Sequence, residues 1–166
     1  MEWAEIDSEA ALWSIPAARV KTGRPHYVAL SAPALAVLEG TPRIGDRFVL
    51  TTSGDAPSSG YSKGKRALDK LLPPDMPRWT LHDLRRTAAS GMARLGIALP
   101  VIERVLNHIS GSFGGIVSVY QKHSFADEQR AALDRWGAFV SELVATPPKQ
   151  PNVVKLPARG RKHAQG

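Results

Sequence analysis

The chain contains no cysteine. Disulfide scaffolds, Cys-based zinc sites and thiol nucleophiles are therefore excluded, and the composition fits a reducing compartment. No stretch approaches the roughly 18 apolar residues of a transmembrane helix. The opening Met1-Glu2-Trp3-Ala4-Glu5 lacks the basic-then-apolar pattern of a signal peptide. A cytoplasmic protein with no membrane partner is the expectation. Acidic residues are missing from the end of the chain: every Asp and Glu lies at or before Glu142, whereas Lys149, Lys155, Arg159, Arg161 and Lys162 follow it. There is no internal repeat, no carboxylate cluster and no tightly spaced set of histidine ligands, so neither a metal nor a cofactor is expected.

What is present is one domain's worth of ordinary globular sequence: 166 residues, 43% hydrophobic and 22% charged. The net charge of +7 and a pI near 10.1 favour a polyanionic partner. Seventeen of the basic residues and all fifteen acids lie in residues 1–146, so that part carries only +2. Residues 147–166 hold four prolines and five basic side chains without a periodic apolar face. They read as a disordered basic tail behind a single domain over 1–146.

The spacing of apolar residues predicts an α+β fold, mainly α, with a small antiparallel sheet near the N-terminus. Ala11 to Ile15 and His26 to Leu30 read as the strands of a hairpin with a basic tip that contains Lys21. From Ser31 a short helix is predicted, with Pro33 in its first turn and Gly40 as its stop. Phe48 to Thr52 reads as a further short strand, and residues 53–60 as an exposed loop. Tyr61 to Leu72 reads as a basic helix with Ala67, Leu68, Leu71 and Leu72 along one apolar edge.

Thr80 and Asp83 have capping-box spacing. Leu81, Leu84, Ala88, Met92 and Leu95 then follow at helical intervals to Gly96. The next helix is predicted from Pro100 through Val101, Ile102, Val105, Leu106 and Ile109, ending at the glycines 111, 114 and 115. A last helix is predicted from the Ser124/Asp127 capping box, with a stripe of Ala132, Trp136, Phe139, Val140 and Leu143.

His82 and Arg85 are three residues apart, on one helical face close to an N-terminus, where free N–H groups and the dipole favour an anion. Taken alone, these residues and Arg86 equally make a solvated face that pairs with Asp83 or Asp69. His108 lies 26 residues beyond His82, and Tyr120 a further 12 beyond that, after a glycine-rich joint. Tyr27 and Tyr61 lack both the preceding His and the joint. The Gly60-Tyr61-Ser62-Lys63-Gly64 run has the form of a hydrolase nucleophile elbow, with Asp83 and His108 downstream. That motif needs a strand running into the serine, and the residues before it are turn formers.

A Lys, a His-x-x-Arg, a second His and a Tyr in this order resemble the tyrosine recombinases, the phage-integrase family of site-specific DNA strand-exchange enzymes. TLHDLRRTAASGMARLG at 80–96, VIERVLNHIS at 101–110 and VYQKHSF at 119–125 are similar to its motifs, as is IPAARVKTGRPHYVALS after MEWAEID. The likeness spans nearly all of residues 1–145. It implies the catalytic residues Tyr120, Arg85, His82, His108 and Lys21, with Arg24, Lys63, Lys65, Arg66 and Arg86 on DNA phosphates. One further catalytic arginine of the family belongs to a helix preceding the segment that matches Met1 to Asp7, so the chain is expected to be an N-terminally truncated catalytic domain.

The implied reaction is recombination or integration through a 3′-phosphotyrosyl intermediate, without metal or cofactor. The implied partners are double-stranded DNA and three further copies of the chain in a tetramer, with no small-molecule substrate. The segment after Tyr120 is expected either to dock on a neighbouring protomer or to pack on its own domain. A non-catalytic DNA-binding remnant is the alternative reading, and a type IB topoisomerase the nearest enzymatic rival.

Overall fold

A computed structural model describes residues 1–108 and 125–145. The fold is α+β and mainly helical. A 3-10 turn at Trp3–Glu5 leads into β1 (Ile6–Asp7), which pairs antiparallel with β2 (Leu12–Ile15). β2 pairs antiparallel with β3 (His26–Ala29), with Ser14 opposite Tyr27 and Ile15 opposite His26. The expected hairpin is thus present, with β1 added on its outer side. Asp7 shapes the β1–β2 turn by accepting the Ala10 N–H at 2.8 Å. Between β2 and β3 lie a second 3-10 turn, Ala17–Arg19, and a tight turn closed by the Gly23 N–H on the Val20 carbonyl at 2.9 Å. Lys21 and Thr22 occupy its two central positions, and Gly23 takes the left-handed conformation (φ +67°) that suits glycine.

Among the described residues five helices follow: α1 (Ala32–Glu39), α2 (Tyr61–Asp69), α3 (Leu81–Arg94), α4 (Leu99–Val105) and α5 (Ala126–Ala145). Pro33 and Pro100 sit in the first turns of α1 and α4, where a missing N–H costs nothing. The core is where α3, α4 and α5 meet. Met92, Val101, Ile102 and Ala132 are buried there, with Ala88, Ile97, Val105 and Trp136 packed around them. α3 ends as its sequence predicts. Gly96 adopts φ +77°, the Gly96 and Ile97 N–H groups bond the Ala93 and Met92 carbonyls at 3.0 and 3.1 Å, and Ile97 turns back onto the core.

Several expectations need correction. Phe48 to Thr52 is not a strand: only Phe48 makes a bridge, to Glu2, while Val49 is buried and Thr51 ties the following loop through its hydroxyl to the Ala56 carbonyl at 2.6 Å. The apolar stripe of α3 is shorter than its periodicity suggests, because Leu81 and Leu84 are exposed and the buried face begins at Ala88. α2 ends at Asp69, and Leu68 and Leu71 on its apolar edge are exposed. α4 stops at Val105 rather than running on through Leu106, and Leu143 of the last helix is exposed. The Gly60–Gly64 run opens α2 and follows a loop, so it is no nucleophile elbow. α5 packs against α1, α3, α4 and β3 of its own domain. Ile109, Ser110, the glycines at 111, 114 and 115, Tyr120, Ser124 and the tail at 147–166 lie outside the described residues.

Candidate active site

The capping box at the start of α3 sets the first group of candidates. The Asp83 carboxylate accepts both the Thr80 N–H and the Thr80 hydroxyl at 2.8 Å, and Arg86 approaches its other oxygen at 2.9 Å. The Thr80 N–H first, then its hydroxyl and the Arg86 guanidinium, hold Asp83 below the usual carboxylate range. His82 and Arg85 stand exposed in the first two turns. Arg86 is paired with Asp83, so it makes the solvated ion pair that its sequence position equally allowed.

Arg85 reaches the other way and donates a hydrogen bond to the Leu106 carbonyl at the end of α4. That end is a second tight cap. Asn107 takes the left-handed conformation (φ +49°), its N–H bonds the Arg104 carbonyl at 3.0 Å, and the His108 N–H bonds the Glu103 carbonyl at 2.8 Å. Asparagine tolerates this conformation better than most side chains. His108, held at the last position of the cap, is exposed. The structure therefore brings Arg85 onto the turn that carries His108.

A cavity of about 350 Å³ opens between the β2–β3 turn and the end of α4. Arg24, His26, Tyr27, Asn107, His108 and Gln129 line it, among others. Lys21 is exposed on the turn beside it. The base of that turn is tied down by Arg19, whose guanidinium meets Glu5 at 2.9 Å, and Glu5 also accepts the Trp13 indole N–H at 3.1 Å. Burial disfavours the charged form of Glu5, but the Glu2 N–H, the Trp13 indole and Arg19 together outweigh it and lower its pKa.

The expected phosphate contacts divide into two groups. Lys65 lies 4.3 Å above the Trp79 ring and bonds Asp69 at 2.8 Å, and Arg66 donates to the Ser62 carbonyl at 3.3 Å. Arg24 and Lys63 are exposed to solvent. Tyr120 lies outside the described residues. Among the described residues no group of three His, Asp or Glu side chains is placed to hold a metal ion, and no helix is long and apolar enough to cross a membrane.

Sequence reasoning passed over His26, reading it only as a strand residue. It is half-buried, and burial first, with the Arg85 charge adding to it, lowers its pKa below the ordinary 6.5 against the opposing pull of the Val105 carbonyl. Asn107 was missed as well, although an Asn just past a helical run is a recognised stop signal.

The family model described as Phage integrase family matches residues 1–126. Prophage integrase IntA of Escherichia coli is 32% identical over 146 residues, which cover 83% of this chain and 33% of that protein. The chain thus spans about a third of the length of this curated relative. No solved structure gives a significant match. The match over residues 1–126 contains Lys21, the His82-x-x-Arg85 helix, His108 and Tyr120, and with it the chain belongs to the phage integrase family.

Proposed function

We propose that this chain is part of the catalytic domain of a DNA strand-transferring recombinase that acts through a 3′-phosphotyrosyl intermediate. The observation that carries the reading is the bond from Arg85 to the Leu106 carbonyl, which gathers the His-x-x-Arg helix and the His108 turn at one place beside the hairpin of Lys21. Phosphodiester transfer needs a nucleophile, cations around the non-bridging oxygens and a donor for the leaving oxygen.

In this reading the Tyr120 Oη bonds to phosphorus as the bond to the 5′-oxygen breaks. His82 takes the phenolic proton, and Lys21 gives one to the departing 5′-oxygen. Arg85 holds a non-bridging oxygen with the guanidinium donors that Leu106 leaves free, and His108 donates to another. A phenol with an ordinary pKa of about 10 needs such a base and nearby positive charge to react at neutral pH. The phosphodiester energy stays in the protein–DNA bond, so rejoining requires only the reverse step with a second 5′-hydroxyl. Duplex DNA is the substrate, and a tetramer on two duplexes is the working assembly.

The test is covalent capture on a pooled library of nicked duplexes, with the 166-residue chain and with the in-frame coding sequence upstream of Met1 included. A protein–DNA adduct stable in detergent, and lost in Tyr120→Phe and in Arg85→Ala, is expected. An adduct that survives Tyr120→Phe overturns the assignment. Saturable DNA binding with no adduct in either form leaves a DNA-binding protein without strand transfer.

A further inference from the structure

α2 stands outside the packed core. It buries no residue, the left-handed Gly60 (φ +77°) precedes it, and Pro73, Pro74 and Pro77 follow it. A helix of nine residues is marginal in water on its own, so α2 depends on a contact that seats it. Every residue of α2 is exposed except one, and that one is Lys65. Only 19% of its side chain is accessible: Nζ lies 4.3 Å from the centre of the Trp79 ring and bonds both Asp69 carboxylate oxygens at 2.8 Å. Lysine is ordinarily among the most exposed residues, so a lysine as the most covered residue of a helix marks a point of attachment. Trp79 directly precedes Thr80, the N-cap that the Asp83 carboxylate fixes at the start of α3. Its indole N–H is buried without an acceptor among the described residues, so the ring acts here through its face. Two residues before Lys65, about 200° round the helix, Lys63 is exposed to solvent.

We propose that Trp79 is a positioning residue for DNA binding: its ring, stacked under Lys65, seats α2 on the start of α3 before DNA arrives, so that Lys63 and Arg66 are presented to the phosphates. Lys65 is then the tether and not a phosphate ligand. The inference rests on the recombinase reading, whose substrate is DNA, and deepens it. A helix seated in advance need not be ordered on binding, and the ordering cost is not subtracted from the affinity. The Lys65 ammonium already meets the Asp69 carboxylate and the negative face of the indole, so it gains less from a phosphate than Lys63 does. The two roles leave different signatures. Loss of a phosphate contact lowers the slope of log affinity against log salt by about 0.9. Loss of the tether leaves the number of phosphate contacts unchanged and weakens binding equally at every salt concentration.

The experiment is a salt series of anisotropy titrations of labelled duplex DNA with the 166-residue chain and its variants. Trp79→Leu and Lys65→Ala should each weaken binding about fivefold at every salt concentration, with the slope of the parent. The double variant should lose no more than either single one, since both changes remove the same contact. Trp79→Phe, which keeps a ring face, and Lys65→Arg, which keeps the cation, should restore the affinity. Unchanged affinity in both single variants, additive losses, or a slope lowered by about 0.9 in Lys65→Ala would overturn the proposal. Should Trp79→Leu fail to fold, the slope of Lys65→Ala and the rescue by Lys65→Arg decide the question, because α2 is otherwise exposed. NMR of the full chain without DNA tests the stack itself. The side-chain methylene signals of Lys65 should lie upfield through the ring current of Trp79 and move to ordinary positions in Trp79→Phe/Lys65→Ala controls only where the ring or the lysine is lost; ordinary positions in the parent would reject the stack. A parent that binds no DNA overturns the recombinase reading and this role for α2 with it, while upfield Lys65 signals would show that the stack stands.

Discussion

At the scale of single residues, Asp83 shows how a local pattern produces both structure and pH dependence. Its carboxylate closes the first turn of α3 through Thr80 and neutralises part of the positive helix end that His82 and Arg85 share. Replacing Thr80 by Ala removes the hydroxyl side of the box and should cost about 0.5–2 kcal/mol, read from the urea midpoint at constant slope. The folded pKa of Asp83 lies below its ordinary value of 3.8. The contribution of its ionised form is therefore complete above that value and is lost as pH falls through the lower folded pKa. Urea melts between pH 7 and pH 2 should show this acid loss in the parent and a smaller one in Asp83→Asn; identical acid limbs would mean that the box contributes nothing through its charge. This feature was legible in the sequence because all its atoms lie within four residues. The place of His26 beside Asn107 and His108 was not, since those residues lie about 80 positions further along the chain and nothing in its neighbours signals the meeting.

At the scale of elements, the packing of α3 on α5 turns on one glycine. A Cβ built at Gly91 would lie 2.1 Å from Cζ3 of Trp136, a rigid indole. Alanine at an interior helix position is favoured over glycine by about 1 kcal/mol, whereas overpacking a core costs about 1–3 kcal/mol and more when the neighbour cannot swing away. The steric effect should win. Gly91→Ala is expected to destabilise the domain by about 1–2 kcal/mol in urea denaturation, and Gly91→Ala/Trp136→Leu should recover part of that through a coupling that the two single changes do not show. A stabilised Gly91→Ala would mean that the two helices sit further apart than described here. Periodicity located α3, α4 and the last helix because each carries an apolar run, and Gly96 ends α3 where the sequence places its stop. It overestimated the buried face at Leu81 and Leu84, since helical spacing marks a side of the cylinder without stating what covers it. The supposed strand at Phe48–Thr52 failed for a similar reason. Val49 is buried and Leu50 exposed, and apart from the bridge from Phe48 to Glu2 the segment finds no strand to pair with.

At the scale of the whole molecule, the question is which positive charges remain available to a polyanion. The net charge is +7, yet residues 1–146 hold only +2 of it, so within the domain the arrangement of charge matters more than its sum. The structure separates cations that sequence reasoning treated alike. Lys65 bonds Asp69 and stacks on Trp79, and Arg86 pairs with Asp83, whereas Lys63 is exposed on α2 and Arg24 is exposed at the cavity that His108 also lines. A cation already held by a carboxylate must exchange one partner for another when it meets a phosphate, and it displaces fewer counterions from DNA. Each full phosphate contact contributes about 0.9 to the slope of log affinity against log salt on duplex DNA. Lys63→Ala and Arg24→Ala should therefore each lower that slope by close to this amount, and Lys65→Ala and Arg86→Ala by distinctly less, in fluorescence-anisotropy titrations over a salt series. Equal losses at all four positions would mean that the Asp69 and Asp83 pairs open on binding, and that the surface seen without DNA is not the one that meets it.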